Sequence, residues 1–281
     1  MSLSGKTLFI TGASRGIGRE IALRAAKDGA NIVIAAKSAE PHPKLAGTIH
    51  SVAAEVQAAG GKALALQLDV RDEHAVKVAM AQAAEHFGGI DGLVNNAGAI
   101  KLVGVEHLEP KRFDLMFQIN TRAVMVCSQA ALPYLKNSSA GGKNSAGGHI
   151  LNLSPPLSMD SKWFAQHGPY TVTKYGMSML TLGMSEEFKK YGISVNSLWP
   201  KTMIATAAIE FELGSREAFK RARLPAIMAD AAYAILSSSA RSISGRLLID
   251  EEILREQGQS EFEHYRFDPA GGSLIADLFV D

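Results

Sequence analysis

Tyr170 and Lys174 stand four residues apart in Tyr170-Thr-Val-Thr-Lys174, at the start of a helix that follows Gly168-Pro169. That spacing puts both side chains on one helix face, about one turn apart. An unperturbed tyrosine has a pKa of about 10 and is a poor base at neutral pH. A lysine ammonium about 4 Å away, at an effective dielectric of about 20, contributes roughly 4 kcal/mol, or about three pKa units. Such a charge would bring the Tyr170 phenol into the range where general acid–base catalysis is efficient. Taken alone, the pair is also what a packed tyrosine beside a surface lysine looks like. Its meaning depends on its surroundings.

A second constellation lies near the start of the chain. Residues 11–18 read Thr-Gly-Ala-Ser-Arg-Gly-Ile-Gly after the apolar run Thr7–Ile10. A buried strand that breaks on glycines and turns straight into a helix is a phosphate cradle, because helix-start N–H groups and their partial positive charge hold a pyrophosphate. Gly12 permits the tight turn, and Gly16 and Gly18 permit close approach of backbone to ligand and of helix to strand. Gly12, Ala13, Ser14, Arg15, Gly16, Ile17 and Gly18 are therefore candidate contacts to a dinucleotide. The spacing Gly-x-x-x-Gly-x-Gly differs from the commoner Gly-x-Gly-x-x-Gly, so its position at the first strand–helix junction carries the reading.

The charge pattern nearby bears on which dinucleotide. An NAD site places Asp or Glu about twenty residues past the glycines, at the end of the second strand, on the ribose 2′-hydroxyl. Here that position reads Ala35-Ala36-Lys37-Ser38, with no carboxylate. Lys37 and Arg15 bring two cations, which suit a 2′-phosphate, so NADP is expected rather than NAD.

These pieces need a scaffold, and the chain has the size for one. It has 281 residues, 47% hydrophobic and 20% charged, with formal net charge +1. That fits one α/β domain spanning residues 1–281 with a substantial core. Near-zero net charge gives no reason to expect nucleic acid or an anionic membrane as partner. The single cysteine, Cys127, reads as a small buried apolar residue, and a reducing, cytosolic setting fits. There is no apolar run of spanning length and no metal-ligand spacing among the eight histidines.

Apolar runs alternate with helical patterns. Strands are expected at Thr7–Thr11, Asn31–Ala36, Ala63–Leu68, Gly92–Asn95, His149–Ser154, Ser194–Leu198 and Leu247–Asp250. Helices are expected at Arg15–Asp28, Gly47–Ala59, Asp72–Phe87, Lys111–Leu135, Tyr170–Lys190 and Ala229–Ser237. The alternation implies a doubly wound, Rossmann-type parallel sheet of seven strands, with ligands bound beyond the carboxyl ends. The glycine-rich stretch 137–148 reads as a surface loop. Residues 201–225 are a candidate substrate lid. The stretch 251–281 is an extension, with Glu251–Gln257 a helix, that would cover a sheet edge or meet a partner subunit.

Together the sequence resembles the short-chain dehydrogenase/reductase family. The matching pieces are Thr11–Gly18, Asp69-Val70, Asn95-Asn96-Ala97-Gly98, Asn120 and Tyr170/Lys174, in the family's order and across most of residues 5–250. The resemblance implies a carbonyl–alcohol oxidoreductase. In it Asp69 would accept a hydrogen bond from the adenine, and Asn96 with Gly98 would line the cofactor's other side. Lys174 would hold the nicotinamide ribose hydroxyls, Asn120 would anchor a water that relays protons, and Tyr170 would be the general acid/base. It also implies a homodimer or homotetramer paired through the helices Lys111–Leu135 and Tyr170–Lys190.

Three departures stand out. Aligned on Asn152, the carbonyl-polarising serine of the family falls on Pro155, which has no hydroxyl and no N–H. Ser154, one position earlier, is the remaining candidate, although in a strand a one-residue shift turns a side chain to the other face. Losing one oxyanion donor can cost about 10²–10³ in rate. Lys201 follows Pro200 where the family often has glycine, and would sit near the nicotinamide end, within reach of the pyrophosphate or an acidic substrate. Glu251-Glu252 follow Asp250 where a glycine pair is common. Pro155, Pro156, Leu157, Met159, Trp163 and Phe164 are expected to wall the substrate site and to favour a hydrophobic or lipid-like carbonyl. The displaced serine motivates an alternative, a dinucleotide-binding sensor or scaffold with little turnover. A methyltransferase-like α/β fold explains neither Tyr170/Lys174 nor Lys37.

Overall fold

The first strand, β1 (Thr7–Thr11), is buried along its whole length, as a strand covered on both faces must be. Leu8 and Ile10 enter one core layer and Phe9 the other, the period-2 alternation of a pleated strand. Around it lies a seven-stranded parallel sheet in the order β3-β2-β1-β4-β5-β6-β7. The other strands are β2 (Asn31–Ala36), β3 (Lys62–Gln67), β4 (Gly92–Asn95), β5 (His149–Asn152), β6 (Ser194–Trp199) and β7 (Leu247–Ile249). The molecule is described from a computed structural model over residues 2–41, 45–140, 147–213, 215–240 and 242–280.

There are ten α-helices among the described residues: α1 (Gly16–Ala26), α2 (Ile49–Ala58), α3 (Glu73–Phe87), α4 (Pro110–Phe117), α5 (Ala123–Ala140), α6 (Lys162–Ala165), α7 (Gly168–Phe188), α8 (Ala207–Leu213), α9 (Ala226–Leu236) and α10 (Asp250–Glu256). Helices α1, α2, α9 and α10 pack on one face and α3, α5 and α7 on the other. The chain order reverses between β1 and β4, and the crevice at such a switch point is where ligands of doubly wound sheets bind. The glycine turn follows β1 at that position.

Three differences from the sequence reading have clear causes. The expected helix Lys111–Leu135 is interrupted by a single π turn at Gln118–Arg122. That extra residue turns Asn120 inward, where it is fully buried and bonded to Ala99 and Thr173. Helix α5 runs on to Ala140, so the glycine-rich stretch starts as helix, and residues 141–146 lie outside the described residues. The fifth strand ends at Asn152, ahead of Ser154, so strand alternation does not decide where Ser154 faces.

The extension after α10 runs back over the carboxyl ends of the strands. Leu224 N–H donates to Tyr265 C=O, Met203 N–H to Ile275 C=O and Asp277 N–H to Lys201 C=O. A third apolar cluster forms there, over the sheet end, from Met116, Tyr170, Tyr175, Trp199, Ile249 and Phe279. No helix among the described residues is long and apolar enough to cross a membrane.

Candidate functional site

The glycine turn is held open from below. Asn96 donates its side-chain amide to Thr11 C=O (2.9 Å) and Gly12 C=O (3.0 Å), and the Thr11 hydroxyl accepts the N–H groups of Asn96 and Ala97. Gly12 has φ +67°, and a Cβ there would meet Ala97 Cα at 2.8 Å. Gly16 has φ +58°, and a Cβ there would touch the Thr206 methyl at 3.6 Å, while a Cβ on Gly18 would collide with the Asn96 amide. Arg15 takes the N-cap position of α1 without a side-chain cap, so the first-turn N–H groups remain free for an anion. Side chains in these positions would fill the cradle, so the residues present fit a pyrophosphate.

The adenosine end differs from expectation in two ways. Arg15 does not project as a free cation. Its guanidinium donates to the carbonyls of Ala46 (3.0 Å) and Gly47 (2.8 Å), pinning the loop before α2 against the turn, and partial burial lowers its pKa. Asp69 does not present a free acceptor. Arg71 grips its carboxylate from Nε and Nη2, and Lys37 Nζ lies 3.3 Å away. Those partners hold the Asp69 carboxyl well below the usual carboxylate range, the Arg71 hydrogen bonds being the largest cause that lowers it. Lys37 itself remains 63% exposed at the end of β2.

Tyr170 and Lys174 lie in the first turns of α7, both buried. Burial raises the Tyr170 pKa far above its ordinary value, and the Asp277 and Glu212 carboxylates push it further the same way. Burial draws Lys174 down to about 7, opposed by the Asp277 charge. The Lys174 ammonium donates to Leu153 C=O at 2.5 Å and lies 4.9 Å from the centroid of the Trp199 ring. The expected lowering of the phenol by Lys174 is absent from the causes that shift Tyr170, which are burial, Asp277 and Glu212. The Lys174 ammonium is engaged by the Leu153 carbonyl.

Asn120 spends its side chain on structure. Its amide donates to Ala99 C=O and Thr173 Oγ1 and its oxygen accepts Ala99 N–H, which leaves no side-chain donor for a water. Gly98 stands against that amide, a Cβ lying 3.5 Å from its oxygen. Ser154 is fully buried and its hydroxyl has no partner. Of the expected wall residues, Leu157, Trp163 and Phe164 pack on the cluster above the sheet, whereas Met159 is 80% exposed and belongs to the surface.

Two of the departures explain each other. Lys201 Nζ does not reach toward a pyrophosphate or substrate. It pairs with Glu251 at 2.9 Å, and the same carboxylate binds Arg223 (2.7 Å) and Arg255 (2.9 Å). Asp250 accepts the Lys201 N–H, and burial raises its pKa to about 6. This cluster ties residues 201–205, 223 and α10 together beneath the extension.

Sequence reasoning missed the groups that close the site from above. Glu212 on α8 accepts Leu102 N–H at 2.8 Å and Lys101 Nζ at 3.2 Å, fastening the 201–213 segment to the loop after β4. Asp277 carries a pKa raised to about 7 by burial. The Phe279 ring, 3% exposed, sits among the rings of Trp163, His167, Tyr170, Tyr175 and Trp199, with centroids 5.3–6.4 Å apart. No local periodicity marks these residues. The only sequence signal is the aromatic content of Leu278-Phe279-Val280. On the outer side of α7, Val172, Met179 and Leu182 are exposed, on one of the helices expected to pair copies of the chain.

A parallel seven-stranded sheet, a glycine-cradled helix start and a buried Tyr-x-x-x-Lys pair define a dinucleotide-dependent oxidoreductase class. The short chain dehydrogenase family model matches residues 6–212. The chain belongs to the short-chain dehydrogenase/reductase family, oxidoreductases that bind a nicotinamide dinucleotide. It is 54% identical over 279 residues to hydroxysteroid dehydrogenase-like protein 2 of Danio rerio, covering 99% of this chain and 65% of that protein. With the Xenopus laevis protein of that name it shares 53% identity over 99% of this chain, and it spans 64% of that relative's length. A solved short chain dehydrogenase from Mycobacterium thermoresistibile superposes with a TM-score of 0.91 at 48% identity, over 100% of this chain and 96% of that one. More distant structures include a metagenomic short-chain oxidoreductase in complex with NADP (26% identity, TM-score 0.71, covering 89% of this chain and 98% of that one). A Mycobacterium paratuberculosis short chain dehydrogenase bound to NAD (22% identity, TM-score 0.72, 89% and 97%) shares the fold.

Proposed function

We propose that this chain interconverts a hydrophobic carbonyl compound and its secondary alcohol with NADP(H), with Tyr170 as general acid/base. One observation carries the reading: an open, glycine-cradled helix start and a buried Tyr170–Lys174 pair lie at the same carboxyl end of one sheet. The nicotinamide, when bound, supplies or accepts the hydride. The turn from Gly12 to Gly18 holds the pyrophosphate through N–H groups, Asn96 and Gly98 form the wall behind it, and Lys174 holds ribose hydroxyls.

In reduction the Tyr170 O–H gives its proton to the carbonyl oxygen, which becomes the alcohol hydroxyl, and the Lys174 ammonium stabilises the phenolate left behind. Burial raises the phenol's pKa, and the protonated form is the one that donates in the reduction step. Ser154, with its unpartnered hydroxyl, is our candidate to polarise the carbonyl in place of Pro155. Any water relay at Asn120 must be held by an acceptor, its main chain or the second lone pair of its side-chain oxygen, because both amide N–H groups are used. A reducing, cytosolic setting remains part of this reading. It rests on the single, buried Cys127.

Lys37, exposed and free of a covering carboxylate other than Asp69, is our 2′-phosphate ligand. Replacing Lys37 by Ala should weaken NADPH about 10–100-fold and leave NADH within about threefold, the loss of a charge-assisted hydrogen bond of about 1.5–3 kcal/mol. Equal weakening of both cofactors by calorimetry would remove that role. The reading as a whole is tested by NADPH consumption over a panel of hydrophobic ketones and acyl thioesters. Turnover supports it, whereas tight NADPH binding without turnover on any of them favours the sensor reading.

A further inference from the structure

Residues 275–278 are stitched to the neighbouring loop by main-chain bonds. Ile275 N–H donates to Arg221 C=O, Ile275 C=O accepts Met203 N–H, and Leu278 C=O accepts Trp199 Nε1–H at 2.8 Å. Among the described residues no main-chain hydrogen bond to Phe279 is seen, and its ring is what packs into the cluster. Phe279 has φ +69°, the only non-glycine residue with positive φ among the described residues. A bulky side chain in that region is strained, and such strain persists only where surrounding contacts impose it.

Around the ring, two buried polar groups lack partners: Trp163 Nε1 and His167 Nε2. Both side chains pack on Phe279, at 5.6 and 5.9 Å between centroids. Buried polar groups in folded proteins are nearly always hydrogen-bonded, and a phenyl ring has no lone pair and at best a weak π face to offer them. The same ring stacks on Tyr170 at an interplanar angle of 27° and leaves that residue 6% exposed. An aromatic ring thus fills a ring-shaped space beside the candidate acid, in a pocket with two polar groups to spare.

We propose that Phe279 is a built-in stand-in for substrate. Its ring occupies the apolar subsite beside Tyr170, and a carbonyl compound with a ring-sized apolar group and an oxygen acceptor for Trp163 and His167 displaces it. This rests on the reading of Tyr170 as the residue that meets the carbonyl. Substrate binding is then a competition with the chain's own segment, and a closed latch lowers apparent affinity by the fraction of time it is open.

The chain has two tryptophans, Trp163 and Trp199, and both lie against Phe279. Their emission therefore reports on the ring. The test titrates 4-phenyl-2-butanone into the full chain saturated with NADP+, for the unaltered protein, Phe279→Ala and Phe279→Leu. A latch closed for about nine-tenths of the time predicts binding about tenfold tighter in Phe279→Ala, with Phe279→Leu between, and acetone affinity unchanged. Phe279→Leu, which keeps most of the buried volume, carries the test if the alanine variant does not fold. Equal or weaker binding of the phenyl ketone in the folded variants overturns the proposal and makes Phe279 a fixed wall. Turnover with NADPH on the same samples separates the two readings. Tighter binding without reduction keeps the subsite and removes the oxidoreductase reading for this ketone. Reduction with unchanged affinity does the reverse.

Discussion

Replacing Tyr170 by Phe should lower kcat/KM for ketone reduction by about 10²–10⁴, the usual contribution of a positioned general acid. The substitution removes one oxygen from a buried ring and leaves its stacking on Phe279 in place. NADPH affinity should stay within about threefold, since cofactor contacts are not touched and a tenfold change would need about 1.4 kcal/mol. Steady-state kinetics with calorimetric NADPH binding checks both halves. A variant keeping more than about a tenth of the activity would mean that another group delivers the proton, because general acid catalysis is worth more than that. His167, buried beside the same ring, would then be the first group to examine.

The second large effect is on stability. Glu251→Ala should destabilise the fold by about 3–5 kcal/mol, the cost of breaking a buried pair and leaving one charge uncompensated. The carboxylate is 7% exposed and holds Arg223, which is equally buried and whose Nε already lacks a partner. At roughly 2–4 °C per kcal/mol for a chain of this order of size, the melting temperature should fall by about 6–20 °C. Glu251→Gln keeps the shape and part of the hydrogen bonding and should lose less. A fall below about 2 °C for the alanine variant would mean that water reaches Arg223 and replaces the pair, since that corresponds to about 1 kcal/mol or less.

The same group sets a pH signature. Glu251 is held down to about 2 by Lys201, Arg223 and Arg255 against its burial, so its contribution is present above the ordinary carboxylate range and lost as pH falls through about 2. Asp250 and Asp277 act with the opposite sign. Burial raises them to about 6 and about 7, so their protonated forms favour folding, and that contribution fades as pH rises through those values. The alanine variant should show a shallower loss of stability in acid than the unaltered chain.

Much of this was legible because it is local. The apolar strands, the glycine turn and the Tyr170–Lys174 spacing lie within short windows, and the parallel sheet follows from their alternation. What could not be read depends on contacts between distant segments. Lys201 and Glu251 each read as a departure from the family's pattern, and only the folded chain shows that one neutralises the other. Asp69 has the identity expected for a site residue, but the orientation of Arg71 two positions later determines what its carboxylate offers. The π turn at Asn120 has no periodicity of its own. Phe279 reaches Tyr170 only because the extension doubles back over the sheet end, which no local pattern encodes.

The central claim is that hydride and proton meet at one carbonyl beside Tyr170. The most direct measurement supplies NADPH deuterated at C4 of the nicotinamide, on the transferred face, to the full chain with 4-phenyl-2-butanone. The product is then analysed by mass spectrometry. The account predicts 4-phenyl-2-butanol carrying one deuterium on the carbinol carbon, formed by the unaltered chain and nearly absent with Tyr170→Phe. Unlabelled ketone recovered intact, with NADPH bound and unconsumed across the ketone panel, would contradict it.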